Sequence, residues 1–88
     1  MTDTIEEIKR RLAVLSPEHI EIVDESALHA GHAGARSGGG HYQLILIAAA
    51  FAGQNSVARH RAIYQALGDL MNTRVHALAI TALAPGEL

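Results

Sequence analysis

The sequence contains no cysteine. That excludes disulfides, thiol catalysis and any metal cluster held by the chain's own thiolates. Aromatic residues are scarce at 3% (Tyr42, Phe51 and Tyr64), so a core must be built from Ile, Leu, Val and Ala. No excess of basic charge exists: the net charge is −2 with histidines neutral, which argues against a non-specific polyanion binder. The longest apolar run, Leu44 to Ala52, is too short to span a bilayer. The opening Met1-Thr2-Asp3-Thr4 reads as acidic and helix-capping rather than as a secretory leader. A cytoplasmic protein with no membrane association is the expectation.

What remains is ordinary for a globular domain. Of 88 residues, 49% are hydrophobic and 18% charged, enough for a single domain over 1–88 with a thin core. Thr4 with Glu7 fits a capping box, and Ile5, Ile8, Leu12 and Leu15 recur at helical spacing. The first helix is therefore expected over 5–15, with Lys9, Arg10 and Arg11 on its solvent side, stopped by Ser16-Pro17. A strand with one wet face follows over 19–24.

Periodicity then vanishes from about 25 to 40, a stretch carrying Gly31, Gly34 and Gly38-Gly39-Gly40 together with His29 and His32. A long glycine- and histidine-rich loop inside a small domain points to function or disorder. A second strand is expected over 41–51, apolar on both faces from Leu44 and so central or covered by helices. Asn55 or Ser56 can cap a second helix, whose stripe is read as Val57, Tyr64, Leu67 and Met71 with Ile63 and Leu70 beside it. Gly68 falls inside that pattern and weakens it by up to ~1 kcal/mol relative to Ala. A third strand is expected over 74–80, before a polar tail over 84–88.

The order α-β-β-α-β is an α+β arrangement with consequences. Strand two, helix two and strand three form a crossover, so the second and third strands should be parallel, while the first two make an antiparallel hairpin. The three-stranded mixed sheet then collects histidines at one end: His76 near the start of strand three, His41 at the start of strand two, and His29 and His32 in the loop between strands one and two. An apolar strand has no packing reason to carry His76, which is read as a metal ligand. His41 is read as structural, orienting the loop. No nucleophile–base pair, phosphate loop or paired carboxylates appear, so an enzyme is not expected. Gly31-His32-Ala33-Gly34 matches the KH-domain GxxG in letters only, because the KH loop joins helices.

Several of these features stand together in a known order: Val23-Asp24-Glu25-Ser26 with His29, His41 followed by an aromatic, Phe51-x-Gly53, Arg59-His60-Arg61 with Tyr64 and Leu67, and Val75-His76-Ala77-Leu78. Over about 5–85 the chain resembles the BolA family. The resemblance implies a fold similar to class II KH domains and a monothiol glutaredoxin as partner. It also implies a bridging [2Fe–2S] cluster shared with that glutaredoxin and glutathione, with no cofactor in the isolated chain. On this chain the ligands implied are His76 and His29, with His32 as substitute loop ligand. Arg59, His60, Arg61 and Arg74 become candidate partner-binding residues, since guanidinium groups match carboxylates bidentately. The function implied is a non-enzymatic adaptor in iron–sulfur cluster handling or iron and redox regulation, monomeric or weakly dimeric alone. The alternative is a nucleic-acid-binding transcriptional regulator with DNA as partner.

Overall fold

The computed structural model describes residues 3–25 and 40–87. The order is α1 (Thr4–Leu12), a 3-10 turn (Ala13–Leu15), β1 (His19–Asp24), β2 (Gly40–Ile47), a second 3-10 turn (Ala49–Phe51), α2 (Ser56–Leu67), α3 (Leu70–Thr73) and β3 (Val75–Leu83). The sheet order is β1-β2-β3, with β1 antiparallel and β3 parallel to the central β2. This is the mixed three-stranded α+β fold expected from the order of elements.

α1 starts differently from its expected capping box. Asp3 is the N-cap, its carboxylate accepting from Ile5 N, while Thr4 Oγ1 instead accepts from Arg74 Nε at 3.2 Å. Glu7 does not reach back to the cap. Its almost buried carboxylate accepts from Arg10 and from Arg11 Nε (2.9 Å), which holds its pKa down to about 2, with the Arg10 hydrogen bond the larger cause. Arg11 is not a solvent-side residue either. Its Nη1 donates to Leu67 O and to Asp69 Oδ1, both at 2.7 Å, tying α1 to the end of α2. Ser16, at φ 51°, turns the chain out of the helix before Pro17.

β2 is shorter than the apolar run implied. After Ile47 the alanine-rich segment folds into a tight turn that carries Phe51 under the sheet, where it is fully buried. Burying the one phenylalanine outweighs extending a strand with alanines, which favour strands weakly. Among the described residues, β2 also has only one covered face. Tyr42, Leu44 and Leu46 join Ile8, Leu12, Ile63 and Leu67 in the core, whereas Ile45 and Ile47 lie outside that cluster and are half-buried.

The stripe on α2 is corrected as well. Ile63 and Leu67 face the core, while Val57 and Tyr64 are exposed at 64% and 42%. The cause is Gly68, which ends the helix instead of lying within it. At φ 56° and ψ −128° it adopts a conformation open to glycine and costly for other residues, so Met71 belongs to a separate short helix. β3 runs to Leu83, three residues beyond its expected end, and continues the parallel ladder to Ile47.

Candidate functional site

The N-terminal ends of β2 and β3 meet the C-terminal end of β1 along one edge of the sheet. Asp24 pairs with Tyr42, and Gly40 pairs with Val75. Glu25 N donates to His41 O at 2.7 Å, and Gly40 N donates to Arg74 O at 3.1 Å. Both points where the 26–39 segment leaves and rejoins the sheet are therefore fixed at this edge. Gly40 is required here for space: a Cβ would come within 2.5 Å of the Tyr42 ring, which is packed in the core.

His76 occupies an irregularity in the ladder. Gly40 pairs with Val75 but the next β2 residue, His41, pairs with Ala77, so β3 carries one extra residue at this point. Such a bulge resets which side chains face the core. Val75 is buried, then Leu78, Ile80 and Ala82 point inward, and the two residues between, His76 and Ala77, are both exposed. The bulge thus keeps an imidazole out of the core while Val75 and Leu78 both pack into it. The sequence carried the signal: apolar positions at 75, 78 and 80 are spaced by three and then two, and an uninterrupted strand would keep two throughout.

His41 stands beside His76 on the face that none of the described helices covers. The ring centroids are 5.1 Å apart and the planes are tilted by 38°. His41 Nε2 is buried, so the ring is embedded in its surroundings while His76 is presented to solvent. A depression of about 310 Å³ adjoins His41, lined also by Glu25, Tyr42, Ala77, Leu78 and Ala79. The sequence-derived loop ligands His29 and His32 lie outside the described residues.

The basic residues of the expected partner-binding set are dispersed. Arg74 is at the histidine edge, two residues before His76 in the chain and bonded to Thr4. Arg59 is committed within the chain: Nε donates to Gln54 O, Nη1 to Ala82 O and Glu87 Oε1, and Nη2 to Glu87 Oε2. Its side chain is 12% exposed and lies 5.9 Å from the Phe51 ring centroid. The pairing holds the Glu87 carboxyl at about 2, well below its usual value, with a bond from Ala84 N as the second cause. Sequence reasoning missed this strut, because nothing local links residue 59 to residue 87. His60 and Arg61 sit on the outer side of α2, near the opposite end of the sheet from His76. Ala82, which Arg59 touches, is six residues along β3 from His76, about 20 Å at strand rise.

The chemistry of the edge is that of nitrogen donors. Among the described residues no group of three or more histidine or carboxylate side chains is gathered as a metal site. An exposed imidazole on a strand is a nitrogen donor open to solvent.

Comparison with known proteins agrees with this architecture. The family described as "BolA-like protein" matches residues 12–87. An uncharacterized protein in the cobS 5′ region of a Sinorhizobium species is 40% identical over 99% of this chain and 94% of its own length. The Escherichia coli DNA-binding transcriptional regulator BolA is 40% identical over 85% of this chain and 70% of its own. The chain spans only 21% of the Arabidopsis thaliana SufE-like protein 1, to which it is 40% identical. The solved BolA domain of SufE1 from that plant superposes with a TM-score of 0.84 at 36% identity, covering 100% of this chain and 99% of the domain. Matched along most of its length by family, sequence and fold, the chain belongs to the BolA family.

Proposed function

We propose that this protein is a non-enzymatic adaptor that docks a monothiol glutaredoxin at its histidine edge and co-ligates a bridging [2Fe–2S] cluster through His76. The observation that carries the reading is the exposure of His76, held outward by a strand bulge at the edge where the 26–39 segment joins the sheet. The second ligand from this chain would be His29, or His32 in its place. His41 supports His76 and keeps its ring from swinging freely. Arg74, bonded to Thr4 at this edge, would be the basic residue nearest an acidic group of the docked partner, whereas Arg59 serves the fold. When bound, the cluster supplies electron transfer or a transferable iron–sulfur unit, and the histidines supply neutral nitrogen ligands.

The test is co-purification with a monothiol glutaredoxin and glutathione, followed by visible absorption and circular dichroism. Wild-type complex should be coloured, and His76→Ala and His29→Ala should each alter or abolish the spectrum. Mutant spectra identical to wild type would remove the reading.

A second reading follows from the name of the Escherichia coli relative, a DNA-binding transcriptional regulator. The net charge of −2 and the internal engagement of Arg11 and Arg59 leave few cations for phosphates. DNA binding that survives physiological salt in both histidine variants would favour it.

A further inference from the structure

The outer side of α2 offers a second surface, on the opposite layer from His41 and His76. α2 spends Ile63 and Leu67 on the core and leaves Val57 and Tyr64 exposed, seven residues apart on one stripe. They line a groove of about 520 Å³ with His60, Arg61 and Gln65 between and beside them. α2 contains no acidic residue. Among the described residues Arg61 has no acidic partner, although Arg10, Arg11 and Arg59 are each paired with carboxylates. An apolar stripe of two anchors flanked by an unspent guanidinium and an imidazole is complementary to one kind of occupant. That occupant has an apolar side chain to cover Val57 and Tyr64 and carboxylates to meet Arg61 and His60.

From this juxtaposition we infer that the outer face of α2 is a docking site for an acidic, apolar-anchored polypeptide segment of another protein, separate from the histidine edge. The separation has a mechanical consequence. With α2 layered behind the sheet and its start near the C-terminal end of β3, the groove stays open while a partner occupies the His76 edge. The chain can then hold two proteins at once. A nucleic acid fits this groove poorly, because a run of phosphates needs several cations in a row and the groove offers one arginine. The inference does not rest on the cluster reading, and it is tested on the isolated full chain without glutaredoxin or metal.

The experiment is fluorescence anisotropy with three labelled probes. These are a helix-forming peptide with leucines on one stripe and glutamates flanking them, the same peptide with lysines for glutamates, and a short DNA duplex. The acidic peptide should bind and the other two should not. Losing a charge-assisted hydrogen bond or an aromatic anchor costs about tenfold in affinity, so Arg61→Glu and Tyr64→Ala should each weaken binding by at least that. Both residues are exposed, so the fold survives, as thermal melts will check. Lys9→Glu, an equal charge change on α1, should leave binding unchanged. Equal affinity for all three probes, tighter binding of DNA, or indifference to Arg61→Glu and Tyr64→Ala would each overturn the proposal. So would concentration-dependent self-association, by sedimentation, that Tyr64→Ala abolishes, since the groove would then belong to a second copy.

Discussion

His41 and His76 face each other across the β2–β3 seam with ring centroids 5.1 Å apart, although the ladder does not pair them: His41 is in register with Ala77. The offset arises because β3 carries one residue more than β2 at this point. One histidine is embedded and the other is presented, so substitutions at the two positions should have different consequences. His41→Phe preserves a ring against His76 and should keep the melting temperature close to wild type. His41→Ala removes the contact and should cost about 0.5–1.5 kcal/mol in urea unfolding. In complex with glutaredoxin, His41→Ala should shift the cluster's circular dichroism while keeping its colour, whereas His76→Ala should lose it. Equal loss of colour in both would make His41 a ligand rather than a support.

Deleting Ala77 tests the bulge directly. The deletion places Val75, His76 and Leu78 in strict in–out–in alternation, so the core set survives and the extra residue is gone. His76 would then lie directly opposite His41. The expected outcome is a folded chain whose cooperative melt is retained but whose cluster spectrum with glutaredoxin is altered. An unfolded deletion variant would show that the bulge serves packing at Val75 rather than the presentation of His76.

Gly68→Ala distinguishes two accounts of α2. As an interior helical glycine, replacement by alanine would stabilise the chain by up to ~1 kcal/mol. As the residue that ends α2 at φ 56° and ψ −128°, it should destabilise by about 1–3 kcal/mol, since this backbone region is costly for any side chain. Space is not the issue, for a Cβ there would meet only Arg11 Nη1 at 3.5 Å. The sign of the change in urea midpoint decides.

The same glycine shows what could and could not be read from the sequence. Element order and strand direction were legible, because a β-α-β crossover permits parallel pairing and a connection of the length between Asp24 and Gly40 permits the hairpin. The convergence of His41 and His76 on one sheet end followed from that topology. The α2 stripe did not, because Gly68 can lie inside a helix or end one, and here it ends α2 where Arg11 bonds Leu67 O. A helix continuous through Met71 would turn Val57 and Tyr64 inward; ended at Gly68, it leaves both exposed. The surroundings of the basic residues were not legible for a similar reason. Arg59, His60 and Arg61 are neighbours in sequence, yet the fold turns Arg59 inward to Ala82 O and Glu87 and leaves Arg61 outside.

Acid stability should report the two struts separately from the site. Glu7 and Glu87 both have carboxyl pKa values of about 2 in the folded chain, against 4.5 for the free group. A carboxyl depressed by folding contributes stability that is fully present above the unfolded value and is lost as pH falls through the folded one. Wild-type protein should therefore keep a level urea midpoint above about pH 5 and lose it progressively between about pH 4.5 and 2. Glu7→Gln removes the partner of Arg10 and Arg11, and Glu87→Gln removes that of Arg59. Each variant should begin less stable at pH 7 and decline less steeply into acid, with the double variant the flattest. A midpoint that falls just as steeply in both single variants would mean that neither ion pair survives in solution. Arg59→Lys sharpens the comparison: lysine keeps the charge but cannot span Gln54 O, Ala82 O and both Glu87 oxygens at once, so it should recover only part of the stability lost in Arg59→Ala.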